Sequence, residues 1–112
     1  MEKPLRILIV EDNTSDVEIV KRLLNKGGFH FTDKVVDSKE EFLSAMSDFE
    51  PELILCDYSM PRFDGMRALL IRKEMAPLTP FILVTGSVNE EVAVECMKAG
   101  ADDYVLKQNL IR

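Results

Sequence analysis

The sequence predicts an α/β domain built on a five-stranded parallel sheet. Short apolar runs alternate along the chain with longer segments whose apolar residues recur at helical spacing. Strands separated by helices require right-handed crossovers, which make the sheet parallel. The strand candidates are almost continuously apolar, as expected for a sheet that helices cover on both faces. A length of 112 residues is enough for one domain with a single core.

The first strand and helix are marked by a strong apolar run and by helix signals. Leu5 to Val10 is predicted to be a buried strand. Ser15 and Glu18 have the spacing of a capping box, so the first helix is expected to begin there. Its apolar positions fall on one face, and Gly27-Gly28 is expected to end it.

The second helix lies between two further strands. The preceding strand is predicted over Phe29 to Val36, a short and mixed segment. Ser38 and Glu41 form a second capping box. Pro51 ends this helical region, and Glu52 to Cys56 is predicted to be the third strand.

The remaining elements follow the same alternation. Asp64-Gly65 opens the third helix, and Pro80 to Val84 is the fourth strand. Asn89 begins the fourth helix, whose first-turn acids suit the helix dipole. Gly100 occupies the position expected just after the end of that helix. Asp103 to Leu106 is the fifth strand.

A flavodoxin-like, doubly wound sheet with the order 2-1-3-4-5 fits these elements, because it places strands one and three side by side at the switch point. Ligands of such sheets bind in the crevice outside the carboxyl ends of the strands. Four strands end in polar residues that would meet there: Glu11 and Asp12 after the first, Asp57 after the third, Thr85 after the fourth and Lys107 after the fifth.

Three carboxylates in one crevice repel one another, so a proton or a cation must relieve them. Carboxylates with a backbone carbonyl and waters suit Mg²⁺. Lys107 and Thr85 would add a positive charge and a hydroxyl, completing a cradle for phosphoryl oxygens. Asp57 is then the expected nucleophile, which would form an acyl phosphate, and the metal and Lys107 would stabilise the transferred charge.

Composition excludes several other classes of protein. The chain is 46% hydrophobic and 30% charged, as in globular proteins, and its net charge of −6 disfavours direct nucleic-acid binding. The apolar runs are too short to span a membrane, and the N-terminus lacks the apolar segment of a signal peptide. Cys56 and Cys96 lack metal-ligand spacing and are expected to be reduced, packed thiols, which favours the cytoplasm.

Four segments together resemble the receiver domain of two-component signalling, as found in response regulators and hybrid histidine kinases. They are Ile7 to Asp12, Leu53 to Gly65, Leu83 to Gly86, and Lys98 to Lys107. Each segment is weakly specific alone, but all four in order at these spacings are very specific. The resemblance runs from near residue 5 to residue 107.

The resemblance implies a phosphoacceptor and a metal site. Asp57 resembles the residue that accepts a phosphoryl group from a histidine kinase or a histidine phosphotransfer protein. Glu11 and Asp12 resemble the acidic pair that holds Mg²⁺ together with Asp57, and the backbone carbonyl of Ser59 is implied as a further ligand.

The resemblance also implies a conformational switch. Thr85 resembles the hydroxyl that moves to bond the phosphoryl group, and Tyr104 resembles the aromatic that turns inward when it does. Lys107 resembles the lysine that pairs with the phosphoryl group. Such a module is a signalling switch and not an enzyme in its own right, although a fused kinase or output domain is compatible with it.

Two features depart from the usual receiver pattern. Gln108 follows Lys107 where family members usually have proline, which removes a rigid turn. A fifth helix normally follows, yet the sequence stops at Arg112. We therefore expect a single receiver domain over residues 1–112 that is truncated before or within helix five.

The sequence leaves three alternatives to a working phosphoacceptor. A receiver-like scaffold that does not accept phosphoryl groups is one. An aspartate-nucleophile phosphatase of the haloacid dehalogenase type is another, but it needs a second acid where Ser59 stands. A nucleotide- or flavin-binding module needs a glycine-rich or hydroxyl-rich loop after strand one, where Glu11-Asp12 places negative charge.

The expected partners follow from the receiver assignment. They are a sensor histidine kinase or a histidine phosphotransfer protein, with the first helix as the docking face implied by the resemblance. The output would pass to a fused or separate domain, and a homodimer is compatible with the family. No membrane and no direct nucleic-acid partner is expected.

Overall fold

The structure is a computed structural model that describes residues 3–58, 60–86 and 90–107. Strands and helices alternate along the described chain. The elements are β1 (Leu5–Val10), α1 (Thr14–Lys26), β2 (Phe31–Val36), α2 (Lys39–Asp48), β3 (Leu53–Cys56), α3 (Gly65–Met75), β4 (Phe81–Thr85), α4 (Glu90–Lys98) and β5 (Asp103–Leu106).

The five strands form one parallel sheet in the order β2-β1-β3-β4-β5, which confirms the predicted fold. β1 lies between β2 and β3, so the strand order reverses beside it. The registers are staggered so that Val10 pairs with both Val36 and Cys56. The carboxyl ends of three strands therefore lie level at one edge of the sheet.

The core is divided between the two faces of the sheet. The larger cluster packs α2, α3 and α4 against one face and includes Phe42, Phe63 and Phe81. The smaller cluster packs Val17 and Val20 of α1 against the other. This division explains the near-continuous apolar strands, because alternate side chains of β1 enter opposite clusters.

An apolar hollow of about 200 Å³ lies on the α1 face of the sheet. Its lining consists of Val20, Leu23, Leu24, Leu55, Ile82, Val84 and Val105. The hollow lies between α1 and the strands β3, β4 and β5. The expected truncation itself concerns residues 108–112, which lie outside the described residues.

The start of α1 differs from the prediction. The helix begins at Thr14, and its N-cap is Asn13, whose side chain accepts a hydrogen bond from the Asp16 amide. The Ser15–Glu18 capping box is therefore wrong. Asparagine is as good an N-cap as serine, and Asn13 comes first after the strand. The end is as predicted, since Gly27 is the C-cap.

The other caps follow the sequence closely. Ser38 caps α2 by accepting a hydrogen bond from the Glu41 amide, while the Glu41 carboxylate reaches back to the amide of Asp37. Asp64 caps α3. Gly100 has φ = 110°, the left-handed conformation expected of a residue just beyond a helix.

Strand boundaries differ by one or two residues from those expected. β2 begins at Phe31 instead of 29, β3 at Leu53 instead of 52, and β4 covers Phe81–Thr85 instead of 80–84. Prolines precede β3 and β4 within two residues and cannot donate to the ladder, so pairing starts after them. β5 matches the prediction.

A buried arginine ties the end of α3 to the chain that leads into β5. Arg72 is 5% exposed and donates hydrogen bonds to the carbonyls of Pro77 and Gly100, at 2.9 and 2.6 Å. Its guanidinium also lies 3.5 Å from Asp102 and 5.6 Å from the centre of the Phe81 ring. These contacts compensate the cost of burying its charge.

Candidate functional site

The backbone holds two of the predicted acids at the switch point of the sheet. The Glu11 amide donates to the carbonyl of Val36, at 3.0 Å, and the Asp57 amide donates to the carbonyl of Val10, at 2.9 Å. The strand hydrogen bonds thus continue one residue beyond β1 and β3. Glu11 and Asp57 are fixed beside each other as their strands end.

Glu11, Asp12 and Asp57 form the predicted acidic group. Each offers an oxygen, and these oxygens all lie within 4.8 Å of one another. Glu11 and Asp57 are 6% and 7% exposed, whereas Asp12 faces solvent. The donor set is three carboxylates with one side open to water, which suits a hard cation that keeps part of its hydration shell.

The arrangement changes the pKa of Glu11. Burial, together with the nearby charge of Asp57, raises the pKa of Glu11 to about 7, although a hydrogen bond from Lys107 opposes the shift. Its second oxygen accepts from the amides of Asp12 and Asn13, at 3.1 and 3.3 Å. Burial and the charge of Asp57 therefore disfavour the ionised form of Glu11.

Lys107 enters the acidic group from the end of β5. Its Nζ lies 2.6 Å from Glu11 Oε1 and 3.4 Å from Asp57 Oδ2, and the side chain is 16% exposed. Although burial lowers the pKa of Lys107, hydrogen bonds to Asp16 and Glu11 more than offset this and raise it above the ordinary lysine value. The ammonium is a permanent charge in the site.

Asp16 is a site residue that sequence reasoning missed. Its Oδ2 accepts a hydrogen bond from Lys107 Nζ at 2.7 Å, a contact between residues 91 apart in sequence. The available signal was helical geometry: from an N-cap at Asn13, Asp16 lies in the first turn at the carboxyl edge of the sheet. Placing the cap at Ser15 hid that position.

The loop after β3 is packed tightly under α3. The amide of Gly65 donates to the carbonyl of Tyr58 at 3.1 Å. A Cβ on Gly65 would lie 2.7 Å from Leu83 Cδ2, 3.0 Å from Tyr58 Cα and 3.3 Å from the Asp57 carbonyl oxygen. Only glycine allows α3 to begin this close to Asp57. Asp64 is the α3 cap, as expected, and is outside the acidic group of the described residues.

Thr85 and Tyr104 lie on the adjoining strands. Thr85 is 1% exposed at the end of β4 and pairs with Leu106, next to Lys107. Tyr104 pairs with Leu83 and is half-buried against the larger core cluster, where burial and the neighbouring Cys96 raise its pKa. Ser59, whose carbonyl was implied as a metal ligand, lies outside the described residues.

A polar cavity of about 290 Å³ opens on the outer side of the acidic group. Its lining is Asp12, Asp37, Met60, Pro61 and Arg62.

The two cysteines are packed thiols, as predicted, since Cys56 and Cys96 are both buried and free. Within the three described segments, no helix is long and apolar enough to cross a membrane.

The sheet order and the acidic crevice define a class of flavodoxin-like α/β domains with a carboxylate site at the switch point. A sequence model of the response regulator receiver domain matches residues 7–111. The chain belongs to this family. Receiver domains act in phosphorylation-dependent two-component signalling and bind Mg²⁺ at an acidic pocket.

Individual relatives agree with this family. The transcriptional regulatory protein ZraR of Salmonella typhimurium is 34% identical over 101 residues, which cover 90% of this chain but 22% of ZraR. The crystal structure of a response regulator from Hahella chejuensis matches with a TM-score of 0.84 and 28% identity, covering 94% of this chain and 81% of that one. The Mn²⁺-bound response regulator Rcp1 matches with a TM-score of 0.76 and 26% identity, covering 92% and 81%.

Proposed function

We propose that Asp57 accepts a phosphoryl group from a phosphohistidine and that the domain is a signalling switch, not an enzyme with a separate substrate. A carboxylate oxygen of Asp57 would form a bond to phosphorus while the bond from phosphorus to the imidazole nitrogen breaks. The products are an acyl phosphate and a neutral histidine. The donor would be a sensor histidine kinase or a histidine phosphotransfer protein.

The observation that carries the proposal is the convergence of Glu11, Asp12, Asp57 and Lys107 at one strand edge. Bound Mg²⁺ would neutralise charge on the transferred phosphoryl oxygens. Glu11, Asp12 and Asp57 would hold it, together with the carbonyl of Ser59. Lys107 contributes a second, fixed positive charge, and Thr85 a hydroxyl for a phosphoryl oxygen.

Phosphorylation would then shift a two-state equilibrium that involves Thr85, Tyr104 and the α4 face. Tyr104 has room to respond because it is only half-buried beside Cys96. The readout would be an altered surface for a partner or a fused output domain. We also propose a cytoplasmic location, since buried free thiols suit a reducing compartment.

Intact-protein mass spectrometry after treatment with acetyl phosphate tests the proposal. With Mg²⁺, the wild type should gain one phosphoryl group that hydroxylamine removes, and chelation should prevent the gain. Asp57→Asn should not be labelled, while Asp48→Asn, an exposed acid at the end of α2, should behave like wild type. Labelling of Asp57→Asn at the wild-type rate would refute the site. A folded wild-type protein that gains no group would instead support the scaffold alternative.

A further inference from the structure

Asp16 holds the site lysine more closely than the phosphoacceptor does. Lys107 Nζ lies 2.7 Å from Asp16 Oδ2 and 2.6 Å from Glu11 Oε1, but 3.4 Å from Asp57 Oδ2. An ammonium has three N–H donors. The two shortest contacts of Lys107 are therefore made to Glu11 and Asp16, and not to Asp57, which would carry the phosphoryl group.

The orientation of the Asp16 carboxylate is not explained by helix capping. An acid at this position could bond back to the amide of the N-cap residue. The amide of that residue, Asn13, instead donates to Glu11 Oε2 at 3.3 Å. The helix dipole favours an acid in this turn, but it does not direct the carboxylate to Lys107.

Asp16 also stands apart from the expected metal ligands. Among the described residues, the acidic group with oxygens close enough to share a cation is Glu11, Asp12 and Asp57. A bound cation would share the carboxylate of Glu11 with Lys107. Asp16 lies outside the group that would bind the cation, and its carboxylate contacts Lys107. The side chains of Asp16 and Lys107 are 28% and 16% exposed, so solvent weakens the attraction between their charges only partly.

We propose that Asp16 is a positioning residue that retains Lys107 in the unphosphorylated domain and competes with the phosphoryl group on Asp57 for its ammonium. The proposal rests on the proposed function of Asp57. A third N–H of Lys107 can reach phosphoryl oxygens that arrive beside Asp57, but the carboxylate of Asp16, in contact at 2.7 Å, attracts the same ammonium and opposes its movement towards them. Asp16 thereby lowers the affinity of the site for a phosphoryl group.

The test uses beryllofluoride, a tetrahedral mimic that binds a carboxylate in place of a phosphoryl group. Asp16→Asn keeps the shape of the side chain and removes the competing charge. With saturating Mg²⁺, its affinity for beryllofluoride, measured by ¹⁹F NMR titration, should rise roughly three- to tenfold over wild type, the range expected for losing a partly screened charged hydrogen bond. Its melting temperature reports whether the fold is kept.

A matched control separates competition for Lys107 from the general loss of a negative charge. Asp37 borders the same acidic site through the cavity it shares with Asp12, and its carboxylate interacts with Glu41. Asp37→Asn should change beryllofluoride affinity by less than about twofold, because screening weakens a charge effect without contact. The affinity for Mg²⁺ alone should change alike in both variants.

The beryllofluoride affinities of the two variants decide between competition for Lys107 and a general effect of charge. Tighter beryllofluoride binding in Asp16→Asn than in Asp37→Asn supports the competition. Equal effects overturn it, since charge alone would then account for both. Weaker binding in Asp16→Asn also overturns it and would make Asp16 an aid to the lysine. If wild type fails to bind while folded, or Asp57→Asn binds as wild type does, the proposed function fails and this inference fails with it.

Discussion

Replacing Gly65 with alanine tests whether close packing under α3 fixes the loop of Asp57. The new Cβ would lie 2.7 Å from Leu83 Cδ2 and 3.0 Å from Tyr58 Cα. Carbon atoms pack at about 3.5–4.0 Å. Leu83 is fully buried and cannot turn away, and the second contact is to backbone. Either the start of α3 or the Asp57 loop must therefore move.

The expected cost follows from two opposing effects. Overpacking of this kind destabilises by about 1–3 kcal/mol. Alanine recovers up to about 1 kcal/mol of helix propensity relative to glycine, and less at the first helical residue. We expect Gly65→Ala to lower the free energy of unfolding by about 1–2 kcal/mol, which corresponds to a melting temperature roughly 5–10 °C lower for a domain of this size.

Urea unfolding followed by circular dichroism measures this cost, with Gly86→Ala as the control. Among the described residues, a Cβ on Gly86 would come within 4 Å of Lys107 Cδ alone, at the ordinary contact distance of 3.9 Å. The control should stay within about 0.5 kcal/mol of wild type. Equal midpoints for the two variants would refute the packing argument and show that the loop yields freely.

Two further predictions concern proton linkage and the buried arginine. Glu11 has a pKa raised to about 7 and must lose its proton to bind a cation. The affinity for Mg²⁺, measured by calorimetry, should therefore fall roughly tenfold from pH 8 to pH 6. An affinity that is constant over this range would contradict the role of Glu11. Arg72→Met should lower the free energy of unfolding by about 2–4 kcal/mol, because the carbonyls of Pro77 and Gly100 lose their donors. Lys73→Met, at the exposed neighbouring position, is its control in thermal unfolding, and equal losses would count against the hydrogen bonds.

Local signals predicted the architecture well because they act within a few residues. The Ser38 cap and the glycine after α4 are read from adjacent sequence, and both occur as expected. The α1 cap was misplaced because Asn13 and Ser15 are both good caps and only the end of β1 decides between them. Strand order followed from the general rules of parallel sheets.

Contacts between distant residues could not be predicted in the same way. The acids of the site were found because they directly follow strands, and strand ends meet by topology. Asp16 follows no strand, and its contact with Lys107 depends on how α1 is set against the end of β5. Likewise, nothing local in the sequence indicates that Arg72 is buried, since its acceptors lie in two later loops.

The ladder hydrogen bonds that extend to Glu11 and Asp57 have a consequence for motion. Both amides are bonded to a carbonyl of a neighbouring strand, so we expect their exchange with solvent to require these strand ends to open. The backbone of these two acids is thus tied to the central strands, whereas Asp12 faces solvent. We therefore expect a response to a change at Asp57 to be expressed by side chains and by the elements beyond β4, since β5 does not pair with β1.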